Sequence, residues 1–447
     1  MNITVVGCGR LGTPYTVALA EVGHDVLGVE INPEALAALQ DGRCPFDEPG
    51  VTDYIRRNVD AGRLRFTDSF DEAVAHGELF FLAVPTPQKR DGATMDVTAV
   101  EDSIRQIARR LTRDVVLIGK STVPVGTAEQ MAALAAHVAP SGVEMRIGWS
   151  PDFLREALSM ETTLHPARLV LGTSPMDREV VEAVARQAWA PFVDAGTDLL
   201  VTDFVTADLT KAAANAFLST KMSFTNLVDN MCRAAGADMT VVSRSLGLDP
   251  RIGDFGLTPG LGWGGSCLGK DIRAFADRAE ELGAYETARF LMLVDEVNTA
   301  RRTMAVDHAR AVLGDLADAT VAVWGASFKP GVGDISDSPA LDVAVRLHQA
   351  GATVRLYDPS VNALVNRLHP DLTVVDTAQD AVEGAGLLMV LTDWQEFSDL
   401  DPSQLTEHAE PRTVIDARRC LNPQRWQEAG WIHEPLGYIR PALGDGR

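Results

Sequence analysis

One cysteine stands in a setting suited to nucleophilic chemistry. The run Gly264-Gly265-Ser266-Cys267-Leu268-Gly269-Lys270-Asp271 places Cys267 after a glycine turn, at the predicted start of a helix running toward Glu281. A helix N-terminus and a nearby lysine both favour the thiolate, the nucleophilic form. Asp271 falls four residues on, on the same helical face. A free cysteine is otherwise commonly a small buried apolar residue; the glycine approach and the flanking charges favour the nucleophile here. Lys211 and Asn215, also four apart in an Ala-rich helical stretch, could hold an oxyanion as a donor pair, and a solvated polar face accounts for them equally well. Asp152 and Glu156 form a third such pair provided that 152–158 is helical. Paired acids suit activation of water, although one of them could cap the turn instead.

A second constellation lies at the start of the chain. Gly7-Cys8-Gly9-Arg10-Leu11-Gly12 follows a predicted strand directly and opens a helix, the context that gives G-x-G-x-x-G its meaning. The glycines permit a tight turn and let a pyrophosphate approach the backbone at the positive helix end. Glu30 ends the next strand, where a carboxylate binds a ribose 2′-hydroxyl and repels a 2′-phosphate, so NAD is expected rather than NADP. Pro85 and Thr86 sit in a loop at the carboxyl edge of another strand, and Thr122 in a similar loop after Lys120, where open α/β folds bind ligands. Each of these loops alone is more often a plain strand ending.

The elements that must carry these residues are short β-branched runs alternating with helical patterns: 3–6, 25–29, 79–84, 115–119 and 168–171 in the first two hundred residues. That alternation predicts a doubly wound parallel sheet. Residues 203–235 read as one uninterrupted helix, capped by Asp203 and stopped at Gly236. A second alternation follows, with strands at 321–324, 353–357, 387–391 and 413–415. The expected fold is therefore α/β, with two doubly wound Rossmann-like domains joined by a long central helix. The boundaries fall at 1–202, 203–300 and 301–447.

Composition narrows the function. Apolar residues at 46% and charged residues at 23% are ordinary for a globular chain. A formal charge of -22 repels phosphate backbones and anionic membranes, so neither nucleic acid nor a membrane is expected as partner. Five cysteines without metal-ligand spacing fit a reducing compartment and no metal site. No apolar run of spanning length appears, and the expectation is a cytoplasmic enzyme.

Taken together, GCGRLG, FLAVPTP, STVPVGT, SPDFLRE, LTKAAANAFLSTK, LDPRIG, GWGGSCLGKD, WGASFKP and VIDARRCLNP, in this order, resemble the UDP-glucose/GDP-mannose dehydrogenase family from residue 1 to about 440, and within it the UDP-glucose branch. The resemblance implies an NAD-dependent, four-electron oxidation of the C6 alcohol of UDP-glucose to UDP-glucuronate. Cys267 would form a thiohemiacetal and then a thioester, keeping the aldehyde bound between the two oxidations. It implies that Lys211 and Asn215 stabilise oxyanions, and that Asp271, Thr122, Asp152 and Glu156 manage protons and the hydrolytic water. Gly7, Gly9, Arg10, Leu11, Gly12, Glu30, Pro85, Thr86, Thr122 and Lys270 are implied cofactor contacts. Phe153, Leu154, Lys211, Gly264, Lys270, Lys329 and Arg418 are implied contacts of the sugar nucleotide, with Arg251 reaching the neighbouring subunit's substrate in a homodimer built on the long helix.

Several positions depart from the family pattern. Asp152 replaces a usual Glu, shortening the carboxylate; Gly269 replaces a Pro beside the nucleophile, loosening the turn; Ser336 replaces an Arg and removes a phosphate-binding cation; Trp263 replaces Phe without consequence. The nearest alternative is the same chemistry on dTDP-glucose or GDP-mannose. A reading from another class is a nucleotide-binding regulatory protein that kept the sheet and lost the chemistry, against which the full set of Cys267, Lys211, Asn215 and Asp271 stands.

Overall fold

The structure, a computed structural model, describes residues 1–89, 95–405 and 412–437. The chain divides into two compact units, Met1–Ala214 with Ala274–Ala284, and Asn215–Arg273 with Tyr285–Arg447. The boundary expected near residue 301 falls inside a single helix, Tyr285–Leu313.

The first unit is built on eight strands: β1 Asn2–Val6, β2 Asp25–Val29, β3 Leu64–Thr67, β4 Leu79–Leu82, β5 Val115–Gly119, β6 Met145–Trp149, β7 Leu169–Thr173 and β8 Leu199–Thr202. Their order is β3-β2-β1-β4-β5-β6-β7-β8. Alternation along the strands covers both faces. Ile3, Val5, Leu79 and Phe81 enter one core with Val17, Leu19 and Trp189, while Val6, Phe80 and Leu82 enter another with Ile104, Ile107 and Met131. One pairing departs from the expected parallel sheet. β7 runs antiparallel to β6, with Gly148 opposite Thr173 and Trp149 opposite Gly172. The connection between them holds only the short helix Ser159–Leu164, so the chain turns back instead of crossing a face.

The second unit has six parallel strands, β9 Thr320–Trp324, β10 Thr353–Tyr357, β11 Thr373–Val374, β12 Leu387–Val390, β13 Thr413–Asp416 and β14 Ile432–Pro435, in the order β11-β10-β9-β12-β13-β14. Val321 and Val323 face a core containing Val343, Leu347 and Ile415; Ala322 and Trp324 face one containing Phe397, Trp426 and Trp431.

The long helix spans Phe204–Ala235. Asp203 caps it, accepting from the Thr206 N–H at 2.8 Å, and Gly236 ends it in the left-handed region with φ +72°. Its 32 residues give a length of about 48 Å at ~1.5 Å per residue. The cysteine's helix spans Leu268–Glu281, with the Asp271 N–H donating to the Cys267 carbonyl at 3.0 Å.

Candidate active site

In the first unit the chain leaves β1 through Gly7, whose N–H donates to Val29 O at 2.9 Å and whose φ of +93° requires glycine. A Cβ at Gly12 would lie 1.7 Å from Gly7 O, so only glycine closes this turn, whereas a Cβ at Gly9 would meet no heavy atom within 4 Å. The open space is therefore beside Gly9, just before the helix Gly12–Glu21. Glu30 follows β2 and is held by two backbone donors, Cys8 N at 3.1 Å on Oε2 and Asn32 N at 2.8 Å on Oε1. Arg10 stacks its guanidinium 5.3 Å from the Phe46 ring centre; it and Leu11 are half-buried. The loops after β4 and β5 are tied together. Thr86 Oγ1 donates to Thr122 O at 2.7 Å and Ser121 Oγ to Val84 O at 2.7 Å, leaving Pro85 exposed and Thr122 half-buried. These features fit a dinucleotide: open backbone at a helix N-terminus, and a fixed carboxylate at the neighbouring strand end.

The acids at 152 and 156 are not on a helix, so the expected i,i+4 relation between them does not exist. Residues 151–158 form an irregular loop in which Ala157 adopts φ +65°. Pro151 disfavours helical backbone at Ser150 just before this segment, and Glu48 anchors its far end, accepting from Ala157 N and Ser159 N at 3.0 Å each. Asp152 instead faces Lys120, with Nζ 3.5 Å from Oδ1. Phe153 lies under two cations, the Arg168 guanidinium 3.8 Å and the Lys211 ammonium 5.4 Å from its ring centre, and Leu154 beside it is half-buried. One turn before Lys211 the buried Asp208 accepts from Gly126 N at 3.1 Å, clasping the loop that carries Thr122. Burial pushes its carboxyl up to about 7.

In the second unit Cys267 is exposed, with Ser266 Oγ 3.6 Å from its sulfur. Behind it Asp271 is buried and takes two donors, Asn215 Nδ2 at 2.6 Å on Oδ2 and Lys270 Nζ at 2.9 Å on Oδ1. The glycine approach is built by close backbone contacts. Trp263 exchanges two hydrogen bonds with the buried Asn298, from Trp263 N to Oδ1 at 2.8 Å and from Nδ2 to Trp263 O at 2.9 Å. A Cβ at Gly264 would lie 2.3 Å from Asp337 O, and Gly265 N donates to Ser336 O at 3.1 Å. The Ser336 hydroxyl turns to Asp334 at 2.6 Å. Gly269 is more than a loosened turn: a Cβ there would stand 2.7 Å from Asp337 Oδ2 and 3.0 Å from Arg273 Nη2, so the Asp337 carboxylate fills the space a larger residue needs.

Arg418 donates to Leu391 O at 2.7 Å and Gly262 O at 2.9 Å, while its buried Nη2 has no hydrogen-bond partner among the described residues. Its neighbour Arg419 adopts φ +54° and pairs with the buried Asp229 at 2.6 Å. Lys329 lies 5.6 Å from the Phe328 ring centre. Arg251 is exposed and folds back on Asp249 at 2.6 Å.

Sequence reasoning passed over Lys120, Asp208, Asn298 and Asp337. Lys120 had a signal, since a cation directly after the buried run Val115–Gly119 needs a partner. Asp208 could have been found one helical turn before Lys211. Among the described residues no group of three or more His, Cys, Asp or Glu is placed to hold a metal ion, and no helix is long and apolar enough to cross a membrane.

A doubly wound sheet with this glycine turn and acid, joined in sequence to a helix preceded by an exposed cysteine and to a second doubly wound sheet, fits a dinucleotide-dependent dehydrogenase. The chain belongs to the UDP-glucose/GDP-mannose dehydrogenase family: its NAD-binding domain model matches residues 1–193, its central domain model 205–300 and its UDP-binding domain model 322–423. A UDP-glucose 6-dehydrogenase of Bacillus subtilis is 34% identical, over 98% of this chain and 98% of its own. One from Pseudomonas aeruginosa is also 34% identical, over 99% and 98% respectively. The solved UDP-glucose dehydrogenase of Pyrobaculum islandicum superposes with a TM-score of 0.89 at 32% identity, covering 98% of this chain and 97% of that one. A UDP-D-ManNAc dehydrogenase from Pyrococcus horikoshii, at 24% identity and TM-score 0.85 over 99% and 100%, shares the fold. The protein is thus an NAD-dependent nucleotide-sugar dehydrogenase.

Proposed function

We propose that this protein oxidises C6 of UDP-glucose to the carboxylate of UDP-glucuronate, through covalent capture on Cys267. The observation that carries the reading is the buried Asp271 on the first turn of the helix that begins directly after the exposed cysteine, held by Asn215 of the long helix and by Lys270. Uridine is favoured by the UDP-binding domain match and glucose by the relatives' activity. Residues 1–202 are assigned to cofactor binding, 203–300 to linkage and dimerisation, and 301–447 to the nucleotide sugar.

Bound NAD, held by the turn at 7–12 with Glu30 and by Pro85, Thr86, Thr122 and Lys270, supplies the hydride acceptor for both oxidations. Cys267 sulfur adds to the C6 aldehyde carbon, and the adduct's oxygen is stabilised by Lys211 and Asn215 donors. The Asp271 carboxylate orients Asn215 and takes up proton charge. After the second oxidation the adduct is a thioester. Water attacks its carbonyl carbon, the C–S bond breaks, the thiolate leaves, and Asp152, with Thr122 and Glu156, handles the water's proton. Phe153, Leu154, Gly264, Lys329 and Arg418 hold the sugar nucleotide. The Nη2 of Arg418, without a hydrogen-bond partner among the described residues, suits an anionic or carbonyl oxygen there.

A homodimer is part of the same reading. Phe217, Phe224 and Met231 stand exposed at seven-residue steps along the long helix, an apolar stripe suited to a second copy, with Arg251 reaching across. A cytoplasmic location belongs to the same reading, supported by five free cysteines, which suit a reducing compartment.

Initial NADH rates across UDP-glucose, dTDP-glucose, GDP-mannose and UDP-N-acetylmannosamine test the substrate, and preference for any of the last three overturns it. Two NADH per uronate are expected, with none of the acid from Cys267→Ser; parental uronate production by that variant rejects the covalent route. Sedimentation as a monomer at working concentration rejects the dimer.

A further inference from the structure

Lys120 is 2% exposed, the first residue past β5, and its ammonium is surrounded by groups of one small region. Nζ lies 3.5 Å from Asp152 Oδ1, 3.5 Å from Ser150 Oγ and 4.7 Å from the ring centre of Tyr15, the fourth residue of the helix that opens at Gly12. Tyr15 is itself fixed, accepting from Trp189 Nε1 at 2.8 Å. The ammonium is therefore held over an aromatic face and aimed at a single carboxylate oxygen. The other oxygen of that carboxylate, Asp152 Oδ2, is buried and has no hydrogen-bond partner among the described residues. An ion pair kept only for stability has its lone pairs filled, because an unmet buried acceptor is destabilising. Here one oxygen is anchored, and the other has no hydrogen-bond partner among the described residues.

We propose that Lys120 is a positioning residue for thioester release: it anchors Asp152 through Oδ1 so that Oδ2 receives the proton of the attacking water. The inference rests on the reading that Asp152 serves hydrolysis. In the step, water oxygen bonds to C6, the C6–S bond breaks with its electron pair going to Cys267 as thiolate, and one water proton passes to Asp152 Oδ2. Lys120 neither gives nor takes a proton; its charge compensates the carboxylate and fixes its rotamer. Burial draws the Lys120 ammonium below its ordinary range and the adjacent Asp152 pulls it back, as in a pair that depends on its partner to remain charged. The arrangement also accounts for Asp at 152, since the shorter side chain ends at a fixed cation and needs no extra methylene to be held.

The test uses the full-length enzyme with UDP-glucose and NAD in single turnover, following NADH by absorbance and the acylated chain by quenched intact mass spectrometry. Lys120→Met should keep the NADH burst and the substrate KM within about twofold, slow decay of the acylated chain at least tenfold, and accumulate that chain in the steady state. Lys120→Gln should behave alike. Asp152→Asn should also accumulate the adduct, and the double variant should be no slower than the slower single one, because both act through one carboxylate. Parental decay in Lys120→Met, multiplicative slowing in the double variant, or loss of the NADH burst in both lysine variants overturns the proposal. Absence of any adduct in Asp152→Asn rejects the hydrolytic reading itself, while an adduct there and none in the lysine variants sinks the Lys120 role alone.

Discussion

The two sheets share the strand order third, second, first, fourth, fifth, sixth, and they begin with the same turn. Gly7 N donates to Val29 O at 2.9 Å after β1; Gly325 N donates to Tyr357 O at 2.8 Å after β9, and both glycines have φ near +100°. In each, an acid just past the second strand accepts from the turn's next N–H: Glu30 from Cys8 at 3.1 Å, Asp358 from Ala326 at 2.8 Å. From there they diverge. Asp358 is buried and also accepts from Ser327 N and Oγ, Trp394 Nε1, Ser360 N and Val361 N. Among the described residues Glu30 has two backbone donors and remains half-exposed, beside the open space at Gly9. One topology therefore yields a turn able to receive a ribose and a turn closed by its own side chains, and carboxylate length and neighbours decide which.

Asp358→Ala should produce the largest effect, because it strands four backbone donors and a hydroxyl and takes one of two acceptors from the Trp394 indole N–H. A loss of about 3–5 kcal/mol in urea unfolding is expected, with the KM for NAD unchanged in the surviving folded enzyme. A loss below ~1 kcal/mol would mean the second turn is as open as the first. Glu30→Ala should invert the pattern, raising the KM for NAD about tenfold to a hundredfold, equivalent to ~1.5–3 kcal/mol, at a small cost in stability. Equal unfolding penalties for the two acids, with no change in cofactor KM, would erase the contrast.

Asp208 sharpens it on a smaller scale, since Oδ1 of this acid is buried without a hydrogen-bond partner among the described residues, unlike either oxygen of Asp358. Burial raises its carboxyl from 3.8 to about 7, so the folded chain binds this proton more tightly than the unfolded one. The stability it contributes is complete below about pH 4 and is lost as pH rises toward 7. Asp208→Asn keeps an acceptor for Gly126 N and cannot ionise. Its stability relative to the parent should climb between pH 4 and 7, by at most ~1.4 kcal/mol per unit, then level off. Parallel urea midpoints for the two proteins across that range would refute the burial account.

Much of this was legible in local sequence because it depends on local physics. The glycine turn with its acid, Asp203 as cap and Gly236 as stop, and the cysteine's helix all follow from backbone requirements of a few residues. The 152–158 segment was not, because its spacing matches a helix while Pro151 and the distant Glu48 hold it in another conformation. Strands β3, β6, β8, β11 and β14 escaped notice because they are short or carry polar residues, as in Leu64-Arg65-Phe66-Thr67, and are defined by their neighbours. Lys120 meets Asp152 from thirty-two positions away, and only the pairing of β5 with β6 brings them close.

Ala157, Asp337 and Arg419 all hold backbone torsions that side-chain-bearing residues seldom tolerate, and each lies in a loop beside an implied ligand contact. A thermostability campaign following local rules would choose these three positions for glycine and gain sturdiness from relaxed torsions. It would also free the chain to swing at the places where a carboxylate, a cation and a glycine approach must point one way. Hardier variants from such a campaign should therefore be slower ones.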